Sequence, residues 1–136
     1  MYSHETTIRV RYADTDKMGF CYYGNYPKYY EIARVEGFRS LGFPYKEMEE
    51  NGVGMPVLDL KITYHKPAKY DDLLTVKMVI AEMPRARIKF DYEIVNEGGS
   101  LLNEGVTTLA FMDLETGRPV KMPERLKKCI APFFES

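Results

Sequence analysis

Two aspartates, Asp14 and Asp16, are the first residues of this sequence whose types and spacing could support chemistry. They follow a strand-like segment, and continued alternation would point both carboxyl groups to the same side. A turn is one interpretation, because aspartate side chains bond nearby backbone amides. The other is a catalytic carboxylate that serves as base or nucleophile. Two close carboxylates would raise each other's pKa, which suits a base.

A helix is predicted directly after this loop. Asn25 is a favourable N-cap residue, and Pro27 is tolerated in a first helical turn. The first amides of a helix lack intrahelical partners and carry partial positive charge. Such a helix start can hold an anion or a polarised carbonyl group. We therefore expect a carboxylate of the loop either to attack the substrate or to activate water. The helix start would stabilise the oxyanion that develops.

Other reactive side chains give weaker indications. Cys21 could be a nucleophile if His4 or His65, the only histidines, lay beside it, but it could also be a partly buried thiol. With two distant histidines and no CxxC or HExxH motif, the sequence predicts no metal site. It also lacks both glycine-rich nucleotide signatures, so we expect no cofactor.

Arg85, Arg87 and Lys89 form a basic row on one face of a predicted strand. This row could be a solvated face or a contact for a phosphorylated ligand. The sequence does not decide between the two.

Hydrophobic periodicity predicts the elements that position these residues. The alternation of Thr6, Ile8, Val10 and Tyr12 with basic residues predicts a half-buried strand. A long helix is expected over residues 26–41, before Gly42, and a short one over residues 45–50. Further strands are expected over residues 53–64, 74–80, 86–94 and 101–114, joined mostly by short turns. This order predicts an α+β protein with an antiparallel sheet and one long helix.

Composition limits the classes of protein and partner. The 136 residues fit one domain, residues 1–136, and the net charge of −1 gives no support to a nucleic-acid partner. No signal peptide and no apolar run of about 20 residues is present, so we expect no membrane span. Two cysteines are too few for a disulfide framework and fit a reducing compartment, which predicts a cytoplasmic protein.

The run YADTDKMGFCYYGNY, residues 12–26, resembles the signature of hotdog-fold acyl-CoA thioesterases of the 4-hydroxybenzoyl-CoA thioesterase type. That pattern is an aromatic residue near a D-x-D-x-x-G loop, then an aromatic or His, then N-Y or S-Y opening the long helix. The matching positions are Tyr12, Asp14, Asp16, Gly19, Tyr23, Asn25 and Tyr26. Residues 67–76, PAKYDDLLTV, are similar to a second segment of the family.

This resemblance implies a curved antiparallel sheet wrapped around a central helix. It also implies subunits that join their sheets edge to edge as homodimers or homotetramers, with the active site between subunits. The implied reaction is the hydrolysis of an acyl-CoA thioester to a carboxylic acid and CoA, without a metal. Asp16 would be the nucleophile or general base, and the Tyr23 backbone amide would polarise the carbonyl group.

The resemblance assigns supporting roles as well. Asp14 would order the loop, and Gly19 would let the backbone turn close to the substrate. The candidates for the walls of the acyl pocket are Tyr26, Tyr30 and Glu31, and those for the CoA phosphates are Arg85 and Arg87.

Two alternatives remain open at this point. One is a hotdog hydratase or dehydratase acting on acyl thioesters, which would use a histidine with a carboxylate. The other is a non-catalytic acyl-CoA binding or sensing module.

Overall fold

A computed structural model describes residues 1–135, which form an antiparallel sheet with a long helix packed on one face. The helices of this part of the chain are α1 (Tyr26–Leu41), α2 (Tyr45–Glu50) and α3 (Glu124–Ile130). Its strands are β1 (Tyr2–Arg9), β2 (Val53–Gly54), β3 (Val57–Tyr64), β4 (Leu73–Ile80), β5 (Arg87–Val95), β6 (Leu101–Ala110) and β7 (Met112–Asp113). These elements confirm the predicted α+β class.

The main sheet has the strand order β1-β4-β5-β6-β3, and every neighbouring pair is antiparallel. Strands β2 and β7 form a separate two-stranded ladder. Alternate side chains of β4 and β5 point into the core beneath α1; they are Leu74, Val76, Met78, Ile80, Ile88, Phe90, Tyr92 and Ile94. The two edges of the main sheet belong to β1 and β3.

Helix α1 covers the 16 residues that the periodicity predicts. Pro27 lies in its first turn, and Gly42 ends it with a φ of +89°, in the left-handed region that favours glycine. At Gly37 a Cβ atom would lie 2.1 Å from Met78 Cε, so a larger residue there would require the flexible end of the Met78 side chain to move. No helix among residues 1–135 is both long enough and apolar enough to cross a membrane.

The strand boundaries differ from the prediction at two places. Strand β1 already begins at Tyr2 and ends at Arg9, because pairing with β4 orders the polar residues at its start. Tyr12 therefore lies beyond the strand and is 80% exposed. The expected strand over residues 53–64 is split before Val57 by Pro56, which has no amide hydrogen for a ladder bond.

Strand β3 is an edge strand with an apolar surface. Its exposed hydrophobic side chains are Val57, Leu58, Leu60 and Tyr64, which are 48%, 46%, 41% and 49% exposed. One side of β3 pairs with β6, and the other has no neighbour among residues 1–135. An exposed apolar edge of this kind favours pairing with another chain.

Candidate functional site

The segment between β1 and α1 folds into a small hairpin whose arms contain Asp14 and Tyr22. The amide of Tyr22 donates to the Asp14 carbonyl oxygen at 2.8 Å, and the Asp16 amide donates to the Phe20 carbonyl oxygen at 2.8 Å. The hairpin is fastened to the residues before β4, because the Cys21 amide donates to the Ala68 carbonyl oxygen at 2.8 Å. Both aspartates therefore lie on one arm, in front of the helix start.

Asp14 is buried and anchors this hairpin to α1. Its carboxylate accepts hydrogen bonds from Lys28 Nζ at 2.7 Å, Tyr29 OH at 2.8 Å and the Arg11 amide at 3.3 Å. Burial alone would raise the pKa of Asp14, but the hydrogen bonds from Lys28, Tyr29 and the Arg11 amide outweigh it and lower the pKa. Asp14 is thus held as a charged structural group.

Asp16 is exposed at the tip of the hairpin. Its Oδ1 atom accepts hydrogen bonds from the amides of Met18 at 2.8 Å and Phe20 at 3.2 Å, which fix the orientation of the carboxyl group. Within residues 1–135, its Oδ2 atom has no hydrogen-bonding partner. Gly19 completes the turn with a φ of +81°, and its amide donates to the Asp16 carbonyl oxygen at 3.1 Å. Backbone amides therefore hold one carboxyl oxygen in place, and the other oxygen can contact a substrate or water.

The two carboxyl groups do not point the same way, which corrects the prediction from spacing. The chain forms a tight 3-10 turn at Tyr12–Asp14, so the strand alternation ends before the first aspartate. As a result Asp14 faces the core and Asp16 faces a surface cavity of about 620 Å³. The expectation that close carboxylates raise each other's pKa is also wrong for Asp14, because its neighbours are cationic or hydrogen-bond donors.

The start of α1 presents backbone amides next to the hairpin. A 3-10 turn, Tyr23–Asn25, leads into the helix, and the backbone hydrogen bonds of residues 1–135 include none from the Tyr23 amide. Asn25 does not cap the helix with its side chain; its Nδ2 atom donates to the Asp14 carbonyl oxygen at 2.8 Å. The Tyr23 amide is thus a donor without a partner near the positive end of the helix.

A second cavity of about 240 Å³ opens beside Tyr23. Tyr23, Tyr26 and Tyr64 line it, with ring centroids 6.3 Å apart for Tyr23 and Tyr64 and 5.7 Å apart for Tyr26 and Tyr64. The Tyr26 hydroxyl accepts a hydrogen bond from the Ala68 amide at 3.2 Å. Burial raises the pKa of Tyr26 to about 12, so it stays neutral at physiological pH. We call this space the aromatic cavity; its walls are largely aromatic, with Lys66 and His65 also contributing to the lining.

Tyr30 and Glu31 lie away from this cavity. Tyr30 is fully buried and stacks on Tyr92, with ring centroids 4.2 Å apart, and its hydroxyl donates to Asn103 Oδ1 at 2.6 Å. Glu31 is exposed and lines a groove between α1 and α2 with Val35. The structure thus brings Asp16, Gly19, Tyr23 and Tyr26 to one end of the helix, with Tyr30 beneath and Glu31 on another face.

Arg85 lies in the turn between β4 and β5, and Arg87 is the first residue of β5, in a different part of the surface. Both are exposed, and Arg85 lines a cleft of about 480 Å³ together with Lys121 and Lys127. The Met122 amide donates to the Arg85 carbonyl oxygen at 3.2 Å, so the C-terminal segment forms one wall. The two lysines were not predicted; the basic character of the C-terminal tail was the only sequence signal for them.

The remaining reactive residues do not form the pairs weighed from the sequence. Cys21 is buried and its Sγ atom lies 3.6 Å from Tyr29 OH, while His65 bonds to Glu104. Burial raises the pKa of the Cys21 thiol, which disfavours the thiolate needed for attack. Residues 1–135 contain no group of three or more His, Cys, Asp or Glu side chains that could hold a metal ion.

Known proteins resemble this chain over most of its length. Residues 10–130 match the model of the thioesterase-like superfamily. The chain is 34% identical over 121 residues to a putative acyl-CoA thioesterase, YneP, of Bacillus subtilis, covering 89% of this chain and 88% of that protein. It is 33% identical over 129 residues to the acyl-CoA thioester hydrolase YbgC of Escherichia coli, covering 94% and 92% of the two chains.

A solved structure agrees with the sequence relatives. The DHNA-CoA thioesterase of Staphylococcus aureus superposes with a TM-score of 0.93 at 35% identity, covering 98% of this chain and 92% of that chain. These findings confirm the predicted hotdog fold and the predicted enzyme class, an acyl-CoA thioesterase. The chain belongs to the thioesterase-like superfamily.

Proposed function

We propose that this protein hydrolyses an acyl-CoA thioester to a carboxylic acid and free CoA, with Asp16 as the nucleophile or general base. The observation that carries the proposal is the state of the Asp16 carboxyl group. Two backbone amides orient its Oδ1 atom, Oδ2 has no hydrogen-bonding partner among the described residues, and Asp16 lines a surface cavity. A group held in this way can attack a carbonyl carbon or take a proton from water.

The Tyr23 backbone amide would polarise the thioester carbonyl group. It has no hydrogen-bonding partner among the described residues, and it lies next to the hairpin that carries Asp16, at the positive end of a 16-residue helix. Negative charge develops on the carbonyl oxygen when the carbon is attacked, so a fixed donor at this place stabilises the transition state. The Tyr23 side chain has no part in this role.

The substrate would bind across several surfaces. Gly19 lies beside Asp16, and we propose that it contacts the thioester. Tyr26 lines the aromatic cavity, and we propose that it contacts the acyl group. Tyr30 would support this end of α1 from beneath through its stacking on Tyr92, and Glu31 would reach a substrate only across a subunit interface.

The CoA phosphates would bind at the turn between β4 and β5. Arg85, Lys121 and Lys127 line one cleft there, together with one carboxylate, Glu124, and Arg87 is exposed two residues after Arg85. Their positive charges complement phosphate groups, and arginine can bind phosphate oxygens in a bidentate way.

We also propose that two chains pair through the exposed edge of β3. The strand has an open side and four exposed apolar side chains, Val57, Leu58, Leu60 and Tyr64. Pairing would satisfy its free backbone groups and bury apolar surface close to the aromatic cavity, to which Tyr64 contributes. The site would then lie between subunits of a homodimer, or of a homotetramer built from two dimers.

The organisation of residues 1–136 as one domain and the cytoplasmic location are further predictions that we retain. Both agree with a small enzyme that acts on CoA esters.

The release of free thiol from a panel of aromatic and aliphatic acyl-CoAs tests the proposal. Wild type should turn over at least one ester, and Asp16→Asn should lose most of that activity while remaining folded. Tight CoA binding without turnover of any ester would instead identify a binding module. Turnover that is independent of Asp16 would refute the catalytic assignment.

A further inference from the structure

Arg34 is a buried arginine in the middle of α1 that the proposed catalytic site does not use. Only 6% of its surface is exposed, and its side chain extends from α1 toward β5. Its Nη1 atom donates to the Tyr92 hydroxyl oxygen at 3.0 Å, and its guanidinium carbon lies 6.0 Å from the centroid of the Phe90 ring. Both contacts are with uncharged groups.

The positive charge of Arg34 has no carboxylate partner in the part of the chain that the structure describes. The ion pairs formed by residues 1–135 do not include Arg34, and Glu31, one turn earlier on α1, is exposed. Arginine cannot escape an unfavourable site by losing its proton. A buried charge without a partner of opposite sign is strongly unfavourable, so this guanidinium calls for an anion.

Two buried hydrogen-bond donors lie together at this place. Arg34 Nε and Tyr45 OH are both shielded from solvent, and neither has a hydrogen-bonding partner within residues 1–135. The two groups are close enough that each shifts the pKa of the other. Burial raises the pKa of Tyr45 despite the nearby guanidinium, so its hydroxyl keeps its proton at neutral pH and can donate.

A groove of about 560 Å³ between α1 and α2 reaches Tyr45 from the surface. The charged side chains that line it are Glu31, Arg39, Lys46, Glu49 and Glu50. With three carboxylates against two cations, this lining does not attract anions, and it repels a doubly charged ion more than a singly charged one. A multiply charged ion is also harder to remove from water. The groove therefore favours a small ion with one negative charge.

We propose that Arg34 Nε and Tyr45 OH bind a small monovalent anion, chloride in the cell, at the junction of α1, α2 and β5. A halide ion accepts hydrogen bonds from both donors and neutralises the guanidinium. A water molecule can accept the same hydrogen bonds but leaves the charge uncompensated. Arg34 and Tyr45 line neither the Asp16 cavity nor the aromatic cavity, so this inference does not depend on the proposed function.

Bromide replaces chloride in such sites, and its anomalous X-ray scattering locates it. In crystals soaked in sodium bromide we expect an anomalous peak within hydrogen-bonding distance of both Arg34 Nε and Tyr45 OH. An ordered water molecule at this place without an anomalous peak would overturn the inference.

A second experiment measures the anion in solution. The Tm of wild type should be higher in sodium chloride than in sodium gluconate at equal ionic strength, because an ion that binds only the folded state stabilises it by mass action. Tyr45→Phe removes one donor and keeps the ring that packs against Phe38. It should raise the Kd for chloride, obtained from the concentration dependence of Tm, by at least about 10-fold, the least that a hydrogen bond to a charged group supplies. Arg34→Met should abolish the chloride dependence.

Arg39→Met is the matched control, because it removes the same charge from the exposed side of the same helix, where Arg39 pairs with Glu36. This variant should keep the chloride dependence of wild type. Equal chloride dependence in wild type and Tyr45→Phe would overturn the inference. Bromide density in the crystal without any difference between chloride and gluconate in solution would mean binding at crystal concentration only, and would overturn it as well.

Discussion

The two aspartates of the hairpin have the same side chain and opposite environments. Asp14 is 7% exposed and its carboxylate is bonded on both oxygens, to Lys28 on one and to Tyr29 and the Arg11 amide on the other. Asp16, two residues later, is exposed, and one of its carboxyl oxygens has no hydrogen-bonding partner within residues 1–135. The first carboxylate is buried among its hydrogen-bond donors and holds the structure, whereas the second is exposed and can contact a substrate.

On the proposed function, this contrast separates a residue needed for stability from a residue needed for catalysis within a stretch of three residues. Changes at Asp14 and its partners should destabilise the protein and disturb the site indirectly. Changes at Asp16 and the backbone around it should act on turnover.

Replacing Asp14 by Asn should have the largest effect on stability. The variant weakens the charge-assisted hydrogen bonds from Lys28 and Tyr29 and leaves the buried Tyr29 hydroxyl poorly paired, so we expect a loss of about 2–3 kcal/mol in the free energy of unfolding. Chemical denaturation monitored by circular dichroism measures it. A variant as stable as wild type would show that the anchor is not needed.

The same variant gives a pH test. The pKa of Asp14 is lowered from 3.8 in the folded protein, so its stabilising contribution is fully present above the unfolded value. That contribution is lost as the pH falls through the lower folded pKa. The stability difference between wild type and Asp14→Asn should therefore be constant at neutral pH and shrink in acid below pH 3.8. A difference that grew in acid would contradict the assigned direction.

Tyr29→Phe removes one of the hydrogen bonds to Asp14 while it retains the ring in the core. We expect a loss of about 1 kcal/mol in stability and a higher pKa of Asp14, because one donor to its charged form is gone. Thermal unfolding, and nuclear magnetic resonance titration of the carboxyl group, measure the two effects. An unchanged pKa of Asp14 would contradict the hydrogen bond.

Gly19→Ala and Gly99→Ala form a matched pair. Gly19 lies in the turn that carries Asp16, and Gly99 lies in the turn between β5 and β6. Both glycines have positive φ angles, +81° and +82°, and open space where a Cβ atom would be placed. Each substitution should therefore cost about 1 kcal/mol in backbone strain. Only Gly19 adjoins the Asp16 turn, so only Gly19→Ala should lower kcat. Equal kcat values of the two variants would show that the turn does not position the carboxyl group.

Tyr23→Phe should have the smallest effect. It leaves the backbone amide and the ring in place and removes a hydroxyl from a side chain that is 63% exposed. We expect kcat within about twofold of wild type. A large loss of kcat would point to the hydroxyl, rather than the amide, as the catalytic donor.

The sequence predicted those features that depend on local pattern. The bounds of α1 follow from the helical spacing of its apolar residues, from Pro27 and from Gly42. The alternation in β5 likewise placed Ile88, Phe90, Tyr92 and Ile94 in the core. The start of β1 was missed because its residues, Tyr2 to Glu5, are largely polar, and only pairing with β4 makes them a strand.

The candidate site was predictable only in part, because local pattern does not encode contacts between distant segments of the chain. The loop motif indicated Asp16, Gly19, Tyr23 and Tyr26 as neighbours, because all lie within a short stretch of chain. Tyr64, His65 and Lys121 reach their cavities through long-range packing of β3 and the C-terminal segment, which no local spacing encodes. The opposite orientations of Asp14 and Asp16 depend on a 3-10 turn that the alternation did not reveal.

Parallel measurement of turnover and thermal unfolding for Asp14→Asn and Asp16→Asn tests the central claim most directly. Asp16→Asn should keep the melting temperature of wild type and lose about 10²- to 10⁴-fold in kcat, the range that a positioned acid or base contributes. Asp14→Asn should lower the melting temperature clearly. An Asp16→Asn enzyme with normal kcat, or one that fails to fold, would contradict the division of labour between the two aspartates.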